Sequence, residues 1–220
     1  MASFGPPTPP VPENPLVASS PVPAMPEAAE NPSVAYVYFQ GHINVGSTAS
    51  LLAVMSHLET QGIPRVVLAL TTGGGEIEAG MNLYDRLCAL SFHLVTHAVE
   101  TVQSMGMAIY LAGDERIVGP QATFMLHPSA NRFQAGELVG VVALRQIISN
   151  LEASDARQAS ILEDRTSMSS DDAKAMVEAT TVLNADQAVS AGIAQEIKLL
   201  EVEPANAPFF PLGPYPYPGE

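Results

Sequence analysis

Continuous apolar runs alternate with amphipathic stretches through residues 33–202. The run at 65–70 is the clearest, and near-continuous apolar sequence of that length is typical of a strand buried on both faces. Further strands are predicted at 34–39, 94–99, 116–118, 122–126 and 194–199. Helices are predicted at 47–60 with Ser47 as N-cap, in a pattern that has resumed by Met81, and at 104–112, 137–165, 171–178 and 186–191. Alternating strands and helices predict an α/β domain with a mostly parallel sheet.

Proline divides the chain into three parts, because it fixes φ and removes a backbone donor. Ten of the 19 prolines lie in residues 1–32 and six lie in 203–220. We therefore expect a disordered Pro-rich N-terminal arm at 1–32, a folded domain at 33–202 and a Pro/aromatic tail at 203–220. The arm would crowd the entrance of an assembly. The aromatic side chains of the tail favour docking on a neighbouring subunit as much as disorder.

Charge and cysteine content narrow the possible partners. Nine Lys and Arg against 23 Asp and Glu give a formal charge of −14, which argues against nucleic acid and against anionic membrane surfaces. Cys88 is the only cysteine, so a disulfide framework within the chain is excluded. With no apolar run long enough for a membrane span and no secretory pattern, we expect a cytoplasmic protein. No metal or cofactor is expected.

Three local features could carry chemistry, although each alone has a simpler structural explanation. Three glycines at 73–75 follow a buried strand, where free N–H groups could face a developing oxyanion. Ser104 opens an apolar helix, where it is either an N-cap or a nucleophile. His127 ends a strand, and its imidazole is suited to accept a serine proton.

These three features stand in a definite order along the chain, and several further short motifs flank them. The matching segments are Thr72-Gly73-Gly74-Gly75, Ala79-Gly80-Met81, Tyr84-Asp85, Gln103-Ser104-Met105-Gly106, Leu111-Ala112-Gly113, Met125-Leu126-His127, Leu183-Asn184-Ala185, Gln187-Ala188 and Gly192-Ile193. In this order they resemble the proteolytic subunits of Clp proteases, over roughly residues 34–200. The resemblance implies the spiral of β-β-α units shared with crotonases, a protruding handle helix at 137–165, and a ring-shaped homo-oligomer, possibly a double ring.

The same resemblance implies a serine endopeptidase acting on peptides or unfolded proteins. Ser104 would be the nucleophile and His127 the base, and the N–H groups of Gly74 and Met105 would form the oxyanion hole. The segment Gly75-Glu76-Ile77 would bind extended peptide as an edge strand.

Two departures from the family pattern leave alternatives open. The triad aspartate aligns with Thr180, which can orient the imidazole but cannot stabilise its charge; Glu178 or Asp186 could substitute. The family's lead-in before the first strand is missing, which argues against a Clp-type ATPase partner.

The rival hypotheses are a catalytically weak or inactive assembly subunit, a crotonase-like acyl-CoA enzyme, and a signal-peptide peptidase relative. For the last of these, neither Lys174 nor Lys198 lies in a fitting motif.

Overall fold

A computed structural model describes residues 32–203 and 206–216, and within them eight strands and six helices form one α/β unit. The predicted N-terminal arm lies outside the described residues, apart from Pro32. The strands are β1 Ala35–Gly41, β2 Arg65–Thr72, β3 His93–Gln103, β4 Glu115–Val118, β5 Thr123–Leu126, β6 Thr181–Asn184, β7 Glu196–Ile197 and β8 Phe209–Tyr215. The helices are α1 Val45–Thr60, α2 Ile77–Cys88, α3 Met105–Leu111, α4 Val141–Arg165, α5 Ser170–Glu178 and α6 Ala185–Ser190.

All eight strands belong to one sheet, whose main path runs β6-β5-β3-β2-β1-β8. Every pairing is parallel except β5 with β6, while β4 and β7 branch off beside β3. This arrangement confirms the predicted mixed α/β class. The central strand β2 is buried along almost its whole length, which explains its unbroken apolar run. All six helices contribute buried side chains to the main core, which they form together with the sheet.

Helix α3 is fixed at both ends, and this matters because Ser104 immediately precedes it. Its N-terminus follows directly from β3. At its other end the guanidinium of Arg165 donates to the carbonyl oxygens of Leu111, Ala112 and Gly113 at 2.8–3.2 Å. These carbonyls have no partner within the helix, so the arginine satisfies them and complements the helix dipole.

Two helix starts differ from the prediction. The N-cap of α1 is Asn44 rather than Ser47, since Asn44 accepts from the Ser47 N–H while the Ser47 hydroxyl accepts from the Asn44 N–H. Helix α4 begins at Val141 rather than near 137. Gly136 has φ +83° and Gly140 is extended, so the chain cannot enter a helix before that point.

The predicted Pro/aromatic tail needs correction for residues 209–215. They form β8, which pairs in parallel with β1 of the same chain and buries Phe210 and Leu212 in the main core. The Tyr36 N–H donates to the carbonyl of Pro208, so up to Leu212, before the register shifts, the main-chain groups of β8 that face β1 belong to even-numbered residues. Pro211 therefore faces away from β1, where its missing N–H costs no ladder bond.

The second face of the sheet carries a smaller cluster of Val34, Tyr36, Val67 and Val95, packed against Ile117, Leu200, Val202 and Ala207. Within the described residues, no helix has the length and apolar character needed to cross a membrane.

Candidate active site

Ser104 sits at a sharp bend between β3 and α3 with φ 52° and ψ −125°. Such a backbone conformation is unusual for a non-glycine residue and costs about 1–3 kcal/mol. It is held in place because the Ser104 N–H donates to the carbonyl of Met125 on β5 at 2.7 Å. Although Ser104 is the N-cap of α3, its hydroxyl makes no capping hydrogen bond. The side chain is half-buried, so the hydroxyl remains available for chemistry.

The glycine-rich turn after β2 lies directly against Ser104. Gly74 has φ +92°, and a Cβ on it would lie 2.6 Å from the Cβ of Ser104 and 2.8 Å from the carbonyl oxygen of Gln103. Only glycine allows both this conformation and this approach. The predicted neighbourhood of Gly74 and Ser104 is therefore present.

His127 follows β5, two residues after the carbonyl that holds Ser104. Its Nδ1 lies 2.8 Å from the carbonyl oxygen of Pro128. A carbonyl oxygen can only accept, so Nδ1 carries the hydrogen and Nε2 is left with a free lone pair. This is the tautomer that a general base needs. The structure has no hydrogen bond between the Ser104 hydroxyl and His127, both of which are described.

Thr180 makes no hydrogen bond to His127. In the antiparallel pairing of β5 and β6 the last pair is Leu126 and Thr181, so His127 and Thr180 each lie one residue beyond the end of that pairing. Thr180 is exposed and has φ 51°, which is strained for a β-branched residue. Glu178 ends α5 and Asp186 lies in the first turn of α6, and neither is hydrogen-bonded to His127.

The segment after His127 is tied to helix α4 by contacts that the sequence did not predict. The Ser129 N–H donates to Oδ1 of Asp155 at 2.6 Å, and Nε2 of Gln158 donates to the Ser129 hydroxyl at 3.2 Å. Asp155 is half-buried and Gln158 is 8% exposed. A polar residue on the buried face of a helix is a weak sequence signal, and its partner could not have been identified from spacing.

The two predicted oxyanion donors differ in availability. Met105 is the first residue of α3, so its N–H has no acceptor one turn earlier in the helix. The Gly74 N–H instead donates to Oγ1 of Thr72 at 3.0 Å, and that hydroxyl donates to the carbonyl of Gly41 at 2.7 Å. The Gly74 donor is therefore occupied in this structure.

The predicted substrate strand at 75–77 is shorter than expected. Gly75 forms a parallel bridge with Ile43, through the carbonyl of Gly74 and the N–H of Glu76. The N–H and carbonyl of Gly75 itself then face the opposite side, where an extended peptide could pair. Glu76 is exposed but its N–H is used, and Ile77 already begins α2. The edge strand thus ends at Glu76, because the helix starts one residue later.

Comparison with known proteins identifies relatives of this chain. A family model described as Clp protease matches residues 33–199. Proteolytic subunit 3 of an ATP-dependent Clp protease from Synechococcus sp. (strain CC9605) is 27% identical over 108 residues, covering 46% of this chain and 54% of that protein. Subunit 2 of the ATP-dependent Clp protease from Prochlorococcus marinus (strain NATL2A) is 31% identical over 88 residues, covering 39% and 44%.

A solved structure supports the same fold. A point mutant of ClpP1 from Listeria monocytogenes superimposes with a TM-score of 0.68 at 20% identity, covering 76% of this chain and 92% of that one. The alignments with the two cyanobacterial proteins span about half the length of those proteins.

Proposed function

Because this chain belongs to the Clp protease family, we propose that it is a serine peptidase in which Ser104 is the nucleophile and His127 the general base. The observation that carries the proposal is the geometry of Ser104. Its strained backbone is held to β5 at Met125, two residues before His127, and its hydroxyl is not used as a helix cap. A strained turn with an unused hydroxyl, tied to the strand that leads into a histidine whose Nε2 has a lone pair, suits acyl transfer.

The proposed reaction follows from the protons that these groups hold. Oγ of Ser104 attacks the substrate carbonyl carbon while its proton passes to Nε2 of His127. The Met105 N–H stabilises the oxyanion, and Gly74 joins it when its N–H leaves the Thr72 hydroxyl. The leaving amine takes the proton from Nε2, and water deprotonated by His127 then hydrolyses the acyl-enzyme. His127 returns the proton from this water to Oγ of Ser104, so the products are an amine, a carboxylic acid and the regenerated enzyme.

Gly75 supplies the main-chain contacts to an extended substrate in this proposal. Its free N–H and carbonyl lie next to Gly74 and so next to Ser104. Main-chain pairing is independent of side-chain identity, which suits a peptidase for peptides and unfolded proteins. We also place the enzyme in the cytoplasm, in keeping with the free thiol of Cys88.

Labelling with a fluorophosphonate tests the catalytic assignment. We expect wild-type protein to be labelled and Ser104→Ala and His127→Ala not to be. Ser169→Ala is the matched control, because Ser169 also caps a helix but its hydroxyl accepts from the Asp172 N–H. Labelling of Ser104→Ala at the wild-type rate would refute the nucleophile. A wild-type protein that is never labelled would favour an inactive assembly subunit.

A homo-oligomeric ring is the second part of the proposal, and the first half of α4 supports it. Exposed apolar side chains there have no cover within the described chain: Val141, Val142, Leu144 and Ile148, with exposed fractions of 39–83%. An apolar stripe of this kind pairs with another subunit.

Sedimentation of wild type should give a mass several times 23.1 kDa. Val142→Glu should lower that mass and Gln146→Glu, at a polar exposed position, should not. A wild-type monomer at micromolar concentration would contradict the ring.

A further inference from the structure

One peptide unit lies between His127 and an acidic side chain on α4. Its carbonyl, from Pro128, accepts from Nδ1 of His127 at 2.8 Å, and its N–H, from Ser129, donates to Oδ1 of Asp155 at 2.6 Å. The C=O and N–H of a trans peptide are coplanar and point in opposite directions. A carboxylate that fixes one end therefore fixes the other, and the orientation of the imidazole with it.

The contact with Asp155 also has an electronic consequence. A short hydrogen bond from an N–H to a carboxylate is charge-assisted and polarises the peptide, which increases the negative charge on its carbonyl oxygen. That oxygen faces the Nδ1 hydrogen of His127, the atom at which an imidazolium most needs a negative partner. Resting on the proposed function above, we propose that Asp155 supplies the charge missing at Thr180, acting through the 128–129 peptide unit as a positioning residue for His127.

Local sequence favours this arrangement. A residue before proline is restricted to extended conformations, which limits how far the His127 backbone can turn away. Pro128 has no N–H, so nothing on that residue competes for Oδ1 of Asp155. Gln158 holds the Ser129 hydroxyl at the next turn of α4, so two side chains of one helix hold the peptide unit.

Other charged groups line the same cleft between α4 and α5 and could act through space instead. They are Glu152, Lys174 and Glu178. Glu152 lies one turn before Asp155 on the same helix, is exposed, and makes no hydrogen bond to the 128–129 unit. It therefore provides a matched control for the loss of one negative charge without loss of the peptide contact.

The test compares fluorophosphonate labelling rates and urea unfolding midpoints of four variants. Asp155→Asn keeps an acceptor for the Ser129 N–H but removes the charge, and we expect labelling about tenfold slower, as for partners that orient a functional histidine from outside the site. Asp155→Ala removes both and should be slower still. Glu152→Gln should label at the wild-type rate. Ser129→Ala retains the N–H that Asp155 accepts but loses the Gln158 contact, so it should slow labelling less than Asp155→Asn does.

The pH dependence separates a catalytic effect from a structural one. Without the carboxylate the imidazolium is less stabilised, so the acidic limb of the labelling profile of Asp155→Asn should move to lower pH. An unchanged rate and profile in Asp155→Asn overturns the proposal, and so does an equal loss in Glu152→Gln. A rate that falls only in proportion to the folded fraction makes Asp155 a structural anchor and overturns it too. In each case a labelled wild type leaves the serine peptidase assignment standing, whereas an unlabelled wild type removes that assignment first.

Discussion

Gly74 and Ser104 are so close that no side chain fits between them, since a Cβ on Gly74 would lie 2.6 Å from that of Ser104. Gly74→Ala should therefore displace Ser104, abolish fluorophosphonate labelling and cost about 2–4 kcal/mol of unfolding free energy. Gly62→Ala is the control: its φ is +69°, but nothing lies within 4 Å of its Cβ position. It should cost only about 1 kcal/mol and leave labelling intact. Normal labelling of Gly74→Ala would contradict the close contact.

Thr180 has a strained backbone and, like His127, lies one residue beyond the end of the β5–β6 pairing, so two substitutions separate the effects of strain and of charge. Thr180→Asn relieves the strain at φ 51°, because Asn tolerates this region, and should stabilise the fold by about 1 kcal/mol without changing the labelling rate. Thr180→Asp also adds a carboxylate just beyond the end of the β5–β6 pairing, where His127 also lies, and should speed labelling on the order of tenfold. Equal rates for the two variants would mean that His127 cannot use a charge at this position.

His97 predicts a pH-dependent loss of stability that has nothing to do with catalysis. His97 is 3% exposed, its Nε2 has no hydrogen-bond partner among the described residues, and burial lowers its pKa from 6.5 to about 4. As the pH falls, His97 therefore becomes protonated near pH 6.5 in the unfolded chain but only near pH 4 in the folded chain. The contribution of neutral His97 to the unfolding free energy is fully present above pH 6.5 and is lost as the pH falls from 6.5 to about 4.

Urea unfolding at pH 7.5 and 5.5 measures this effect. Wild type should lose about 1.4 kcal/mol more than His97→Leu between these two values, because only wild type has the histidine to protonate. Carboxylates titrate alike in both proteins and cancel in the comparison. Parallel losses would show that His97 is accessible to protons in the folded state.

Strand β8 makes a prediction at two adjacent phenylalanines. Phe210 is 4% exposed and belongs to the main core, whereas Phe209 is 40% exposed. Phe210→Ala should lower the unfolding free energy by about 3–5 kcal/mol, and Phe209→Ala by less than about 1 kcal/mol. The measurement is urea denaturation of both variants. Similar small effects would mean that residues 209–215 are not docked on β1 in solution.

The elements that carry Ser104 and His127 were predictable because each follows an apolar run with a clear period. Parallel strands place their carboxyl ends at one edge, which explains why the 73–75 turn and Ser104 meet. Strand β8 was missed because its prolines are typical of a disordered tail, and only the outward direction of Pro211 allows it to pair. Asp155 was missed because it meets Ser129 across 26 positions, and no local pattern encodes that contact.

Strand β8 also determines when the domain can complete its folding during synthesis. During synthesis β1 leaves the ribosome early, but its edge partner follows about 170 positions later, at roughly 5–20 residues per second. Until then the Phe210 and Leu212 sites in the core stay open, and so does the edge of β1. The His42 N–H bonds to the carbonyl of Tyr215, and the Ile43 N–H bonds to that of Gly74. A nascent chain thus lacks the support next to the 73–75 turn, and the last strand must be released before the domain is complete.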